Sequence, residues 1–144
     1  MLQLREPAAA GTGMTFHQML ESVRYHGAYS TRERAEAVTR AVLESLGRQL
    51  TADERVELAA CLPAEAAHVF TRQIPAPQPL TGWGFVKDLA SRRGDTPAVA
   101  RWDTGAVLAV IGDLAGPDLL DRILRRLPPG YALLFGRAEL IQAA

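Results

Sequence analysis

The chain has 144 residues, the length of one domain or of two small helical units sharing a core. Apolar residues make up 48%, and sixteen basic residues balance sixteen acidic ones. Zero net charge leaves no global field to recruit nucleic acid or an acidic membrane.

A single cysteine, Cys61, excludes an internal disulfide and makes a reducing, cytoplasmic setting the expectation. Residues 1–13 read as a mobile lead-in with little to bury. Their apolar run is too short for a signal peptide, and no later stretch approaches the ~20 apolar residues of a membrane helix.

The first helix is predicted to open at Thr15, with Thr15 and Gln18 at capping-box spacing. Phe16, Met19, Leu20 and Val23 then mark one buried face, and Gly27 ends it. Ser30 with Glu33 forms a second box and opens a long helix that turns Ala35, Val38, Ala41, Val42 and Leu46 inward. Thr51 with Glu54 forms a third, opening a helix with Val56, Ala59, Ala60 and Leu62 inside. Pro63 cannot continue that helix but suits the first turn of a short fourth one, carrying Ala66, Val69 and Phe70.

Three alternating prolines in residues 73–80 predict a stiff, extended linker. Thr81 opens a fifth helix with Trp83, Phe85, Val86 and Leu89. Thr96-Pro97 opens a sixth, with Val99, Trp102, Ala106, Val107, Val110, Ile111 and Leu114 as its stripe. Gly116-Pro117 starts a seventh, and Pro128-Pro129 an eighth carrying Tyr131, Leu134 and Phe135. No useful stretch alternates with a period of two, so strands are not expected.

The plan occurs twice. Ala41-Val42-Leu43 through Leu46-Gly47 and Leu62-Pro63 to Phe70 returns as Ala106-Val107-Leu108 through Ile111-Gly112 and Leu127-Pro128 to Phe135, sixty-five residues on and without a gap. The expectation is an all-α fold, eight helices as two tandem four-helix repeats packed into one bundle. Its parts are a lead-in (1–13), a first repeat (14–72), the linker (73–80), a second repeat (81–137) and a frayed tail (138–144).

This pattern resembles the bacterial family known as domain of unknown function 2267. The residues that carry the resemblance are Phe16, Ala41-Val42-Leu43, Leu46-Gly47, Leu50-Thr51, Glu54, Leu58 and Leu62-Pro63, with matches between Thr15 and Phe135. It implies a soluble, all-helical bacterial protein and carries no catalytic residue or cofactor. The second copy departs from it at Gly116-Pro117-Asp118, which stands where Thr51-Ala52-Asp53 stands in the first.

No catalytic motif, metal set or cofactor-binding loop stands out, so no catalytic, metal or cofactor residues are expected. His17 and Glu21 share a helix face but make an incomplete ligand set. Cys61 lies at a helix C-terminus, where the dipole raises a thiol pKa. Arg93-Gly94-Asp95 reads as a turn. Gly47 and Gly112 serve either as left-handed helix ends or as points of close approach.

Two surfaces remain as candidates. Trp83, Phe85, Trp102 and Tyr131 could line a groove for a peptide or an apolar ligand, with core packing as the alternative. Arg122, Arg125 and Arg126 form a basic patch, which Asp118 and Asp121, four residues before Arg122 and Arg125, are expected to neutralise. The leading expectation is a non-enzymatic module acting through protein contacts, with a protein partner or a second copy. A ligand or enzymatic site between the copies is the alternative class, and nucleic-acid binding through the arginines a third, disfavoured one.

Overall fold

The computed structural model describes residues 13–137. The expected lead-in and the tail at 138–144 therefore lie, apart from Gly13, outside the described residues. Those described form eight helices and no strand: α1 (Phe16–Gly27), α2 (Arg32–Gly47), α3 (Ala52–Cys61), α4 (Ala64–Thr71), α5 (Gly82–Arg93), α6 (Pro97–Ala115), α7 (Pro117–Arg126) and α8 (Tyr131–Leu134). Among them, no helix is long and apolar enough to cross a membrane.

Most helix starts follow the local chemistry. Thr15 accepts from the Gln18 amide at 3.0 Å, and the Gln18 side chain returns a bond to the Thr15 amide, completing the box. Thr81 and Thr96 each accept from the amide three residues on, and Pro97 sits in the first turn of α6. The residues between Thr71 and Gly82 form no helix.

Two expectations at helix ends are corrected. The cap of α2 is Thr31, which accepts from the Arg34 amide, and not Ser30. Thr51 makes no side-chain cap. Ala52 takes a left-handed φ of 65° at the first position of α3, and Glu54, the other half of the expected box, is taken by Arg126. Neither Gly47 nor Gly112 is a left-handed end; Gly47 is the point of close approach, where a Cβ would lie 2.3 Å from the Phe70 carbonyl oxygen, whereas a Cβ on Gly112 would meet only ordinary contacts at 3.4 Å.

The two longest helices, α2 and α6, touch each other and carry the core. Val38, Val42, Leu43 and Leu46 from α2 meet Val107, Leu108, Val110 and Ile111 from α6 in one continuous apolar cluster. Around this pair α1 packs on both α2 and α6, α5 packs on α6 and α2, α4 on α2, and α8 on α6. At one end α3 meets α7.

The expected stripes hold for most helices, with exceptions. Val56 is 69% exposed, and α3 buries Leu58 and Glu54 instead. Trp83 and Trp102 are each 58% exposed, and Val99 is also at the surface.

Candidate functional site

The arginines of α7 face α3. Arg122 makes a two-pronged pair with Glu57, 2.7 Å on each prong, and comes within 3.8 Å of Glu54. The Arg126 Nε donates to Glu54 at 2.6 Å. Arg126 holds the Glu54 carboxyl below the usual carboxylate range, helped by a backbone hydrogen bond, and Arg122 does the same for Glu57. Asp121 is held instead by Arg137 at 2.7 Å. The neutralising partners thus come from another helix, a correction to pairing within α7. Arg125 has no ion-pair partner among the described residues. It shares a shallow cleft of about 310 Å³ with Glu54, Arg122 and Arg126.

The four aromatics expected at a groove separate into two pairs of places. Phe85 and Tyr131 are 1% exposed and pack edge to face, ring centres 5.7 Å apart. The Tyr131 hydroxyl donates to the Leu80 carbonyl at 2.9 Å, and burial pushes its pKa well above the usual range. They are core residues and line no groove. Trp83 and Trp102 remain on the surface.

A different surface forms around Trp102. Its indole Nε1 donates to the Gly27 carbonyl at 2.9 Å, tying α6 to the end of α1. His26, Arg101 and Trp102 border one depression of about 200 Å³. Tyr25, 84% exposed, stands edge-on to His26, and Arg101 reaches the carbonyl of Leu133, itself 54% exposed. Three elements, α1, α6 and α8, thus meet in an aromatic and basic patch.

Behind that patch lies a buried polar pair that sequence reasoning missed. The Tyr29 hydroxyl donates to Asp103 Oδ1 at 2.5 Å. Asp103 is 1% exposed and its Oδ2 has no hydrogen-bond partner. Burial first, and Asp103 second, push the Tyr29 pKa far above the usual range. The Tyr29 ring lies so close over Gly27 that a Cβ there would fall 2.1 Å from it. Asp103-Thr104 inside the apolar stripe of α6 was the available signal, since a polar pair at core positions needs partners.

Arg55 is a second omission. Its guanidinium donates to the carbonyls of Gly47, the last residue of α2, and Leu50 beyond it, and to those of Phe70 and Thr71, the last two of α4, and Gln73 beyond them. It also stacks over the Phe70 ring at 5.1 Å. One cation therefore serves the negative ends of two helices. Elsewhere, at the end of α6, Gly112, Asp113, Gly116, Leu120, Phe135 and Arg137 line an open cleft of about 320 Å³.

The remaining candidates carry no assembled chemistry. His17 and His68 are exposed, and the Glu21 carboxylate beside His17 is held by Arg24 at 3.2 Å and Arg32 at 3.1 Å. No three His, Cys, Asp or Glu side chains among the described residues gather as metal ligands. Burial, then Glu57, push the Cys61 thiol up, away from the reactive thiolate. Arg93-Gly94-Asp95 is the turn that ends α5, with Gly94 at φ 69°.

The comparison with protein-family models decides the affiliation. The model described as "Uncharacterized conserved protein (DUF2267)" matches residues 16–134, nearly the whole span from the first turn of α1 to the end of α8. The chain belongs to the DUF2267 family. No curated protein matches the chain. The DUF2267 match begins at the Phe16 that opens α1 and includes Arg55, Asp103 and the α3–α7 ion pairs.

Proposed function

We propose that the protein is a duplicated, non-enzymatic helical module that works by protein contact, with the patch around Trp102 as its contact surface. The observation that carries this reading is the exposure of Tyr25, Trp102 and Leu133 beside Arg101 and His26. Trp, Tyr and Arg are the residue types that dominate binding energy at protein interfaces. Here they project from a scaffold that fixes them: Trp102 by its bond to Gly27, Arg101 by its bond to Leu133. Other groups with chemical potential are sealed in the core, as Asp103 and Tyr29 are, or paired, as Arg122 and Arg126 are. The single cysteine and the neutral charge balance support a cytoplasmic setting in a bacterial cell.

The reading as a tandem repeat has its own support. Helices α1 and α5 have 12 residues each, and α3 and α7 have 10 each. Leu46 and Ile111, sixty-five residues apart, are both fully buried. Gly47 faces Phe70 as Gly112 faces Phe135. Glu57 and Arg122 are also sixty-five apart and touch each other, as equivalent residues beside a two-fold axis do.

The test is a photo-crosslinking residue placed at Tyr25 and, as control, at exposed Arg72. Expected are discrete crosslinked bands, to a second copy or to another protein, from position 25 alone, lost when Leu133 is changed to Ser. No band from position 25, or equal banding from position 72, would overturn the contact surface. A salt-sensitive shift of DNA or RNA that disappears on replacing Arg122, Arg125 and Arg126 with Glu would overturn it in favour of nucleic-acid binding.

A further inference from the structure

Across the contact between α3 and α7, opposite charges alternate. Glu57 accepts from both η nitrogens of Arg122 at 2.7 Å, Arg122 approaches Glu54 at 3.8 Å, and Glu54 accepts from the Arg126 Nε at 2.6 Å. The order is carboxylate, guanidinium, carboxylate, guanidinium. It ends in the cleft of about 310 Å³, on two neighbouring cations, Arg126 and Arg125. The next member of such a ladder is an anion, and no described residue supplies it.

The charge balance at the cleft is uneven for a local reason. Arg122, Arg125 and Arg126 stand at i, i+3 and i+4, so they share one face of α7. Like charges at that spacing repel unless each is answered. Two are answered from α3. The Arg125 guanidinium makes no ion pair or hydrogen bond among the described residues. Asp121, one turn before it, is engaged by Arg137 at 2.7 Å. Asp118 lies two turns away from Arg125, ~10 Å along the helix, which is about the screening length in 0.1 M salt. Three guanidiniums against Glu54 and Glu57 therefore leave one positive charge unanswered.

The donors there are partly held in place. The Glu54 side chain is only 10% exposed, and it fixes Arg126 by the Nε edge. The η nitrogens of Arg126 and the whole fork of Arg125 keep their hydrogens for another acceptor. A guanidinium already held by one edge loses less freedom on binding than a loose one. A planar fork suits the two oxygens of a carboxylate, which it can meet with two parallel hydrogen bonds.

We propose that this cleft binds a carboxylate, received by the fork of Arg125 and the η nitrogens of Arg126. Charge specifies a carboxylate over a phosphate ester. One carboxylate cancels the single unanswered positive charge. A phosphate ester, at about −1.5 to −2, exceeds it and sets the surplus beside the Glu54 carboxylate. Two sources share this chemistry: an acidic side chain of a polypeptide and a small free carboxylic acid. The inference uses the α3–α7 cleft alone and is independent of the Trp102 patch.

The experiment titrates isotope-labelled full-length protein at constant ionic strength, following the arginine Nε–H resonances. The probes are N-acetyl-glutamyl amide, N-acetyl-glutaminyl amide, acetate and inorganic phosphate. Expected are saturable shifts at Arg125 and Arg126 with the glutamyl amide and with acetate, and about tenfold weaker ones with the glutaminyl amide, the worth of one charge-assisted hydrogen bond. Tighter binding of the glutamyl amide than of acetate assigns the polypeptide source, and the opposite order assigns the free acid. Arg125→Gln, at an exposed side chain with no partner to lose, should weaken the response about tenfold. Arg72→Gln, an exposed arginine elsewhere, should leave it unchanged. No saturable shift, equal responses to the acid and its amide, or a response that survives in Arg125→Gln would overturn the proposal. So would tighter binding of phosphate than of acetate, which would give the cleft to phosphate-bearing ligands, nucleic acid among them. A response that appears only when residues 138–144 are deleted would also overturn it, giving the place to this chain's own Glu139.

Discussion

Arg55 shows how much one side chain can hold. Its five carbonyl acceptors lie at and just beyond the ends of two different helices, so removing it leaves several partly buried oxygens without a donor. Arg55→Ala is expected to cost about 3 kcal/mol, measured as a lower urea midpoint with an unchanged slope. Arg55→Lys should recover less than half of that loss, because an ammonium cannot span both helix ends. Nothing in the sequence advertised this residue. Its partners are backbone oxygens, which have no side-chain signature, and only the folded chain brings Gly47 and Phe70 together. Asp103 differs, since a carboxylate in the stripe of α6 is a visible anomaly. Tyr29, which answers it, comes from seventy-four residues away and cannot be paired with it by spacing.

At the scale of elements, the pattern of apolar residues identified all eight helices, and the expected threonine caps Thr15, Thr81 and Thr96 located three of their starts. The failures at α3 share a cause. Helix α3 is flanked by a long-range partner, and that partner overrides local rules. Glu54 leaves its capping box because Arg126 of α7 offers a charged hydrogen bond, and the face of α3 that meets α7 and α4 holds Leu58, leaving Val56 in solvent.

The same contact makes the α3–α7 junction sensitive to acid. Glu54 and Glu57 have folded pKa values lowered by Arg126 and Arg122. Their contribution is therefore complete above the ordinary glutamate pKa of ~4.3 and is lost as pH falls through the lowered folded values. The urea midpoint should drop between pH 6 and pH 3, and the drop should be shallower in Arg126→Gln. An equally steep fall in that variant would show that other carboxylates govern acid unfolding.

Across the whole molecule, the decisive fact is a single core shared by both halves. Helices α2 and α6 meet at its centre, and neither half carries a separate cluster. Leu46 and Ile111 were legible as core from the repeat register alone, and both are fully buried. Truncating either to Ala is expected to cost about 2–5 kcal/mol, read as a shift in urea midpoint for each variant. Melting temperatures near that of the unaltered protein would contradict their place in a shared core. What the register could not convey is divergence between corresponding places. The indole of Trp102 could be counted as apolar stripe, yet it lies at the surface with its nitrogen on Gly27.

The packing of α1 against α6 has a consequence for synthesis. During translation α1 emerges early, but one of its two principal partners is Pro97–Ala115. Residues 28–96 must be made before that partner begins to appear. At ~5–20 residues per second, Met19, Leu20 and Val23 wait several seconds with α2 and, later, a small contact from α4 to shelter them. The nascent chain therefore passes through an interval in which an apolar helix face is open on the ribosome. Slow codons within residues 28–96 would prolong that exposure, whereas slow codons after Ala115 would come when the partner helix already exists.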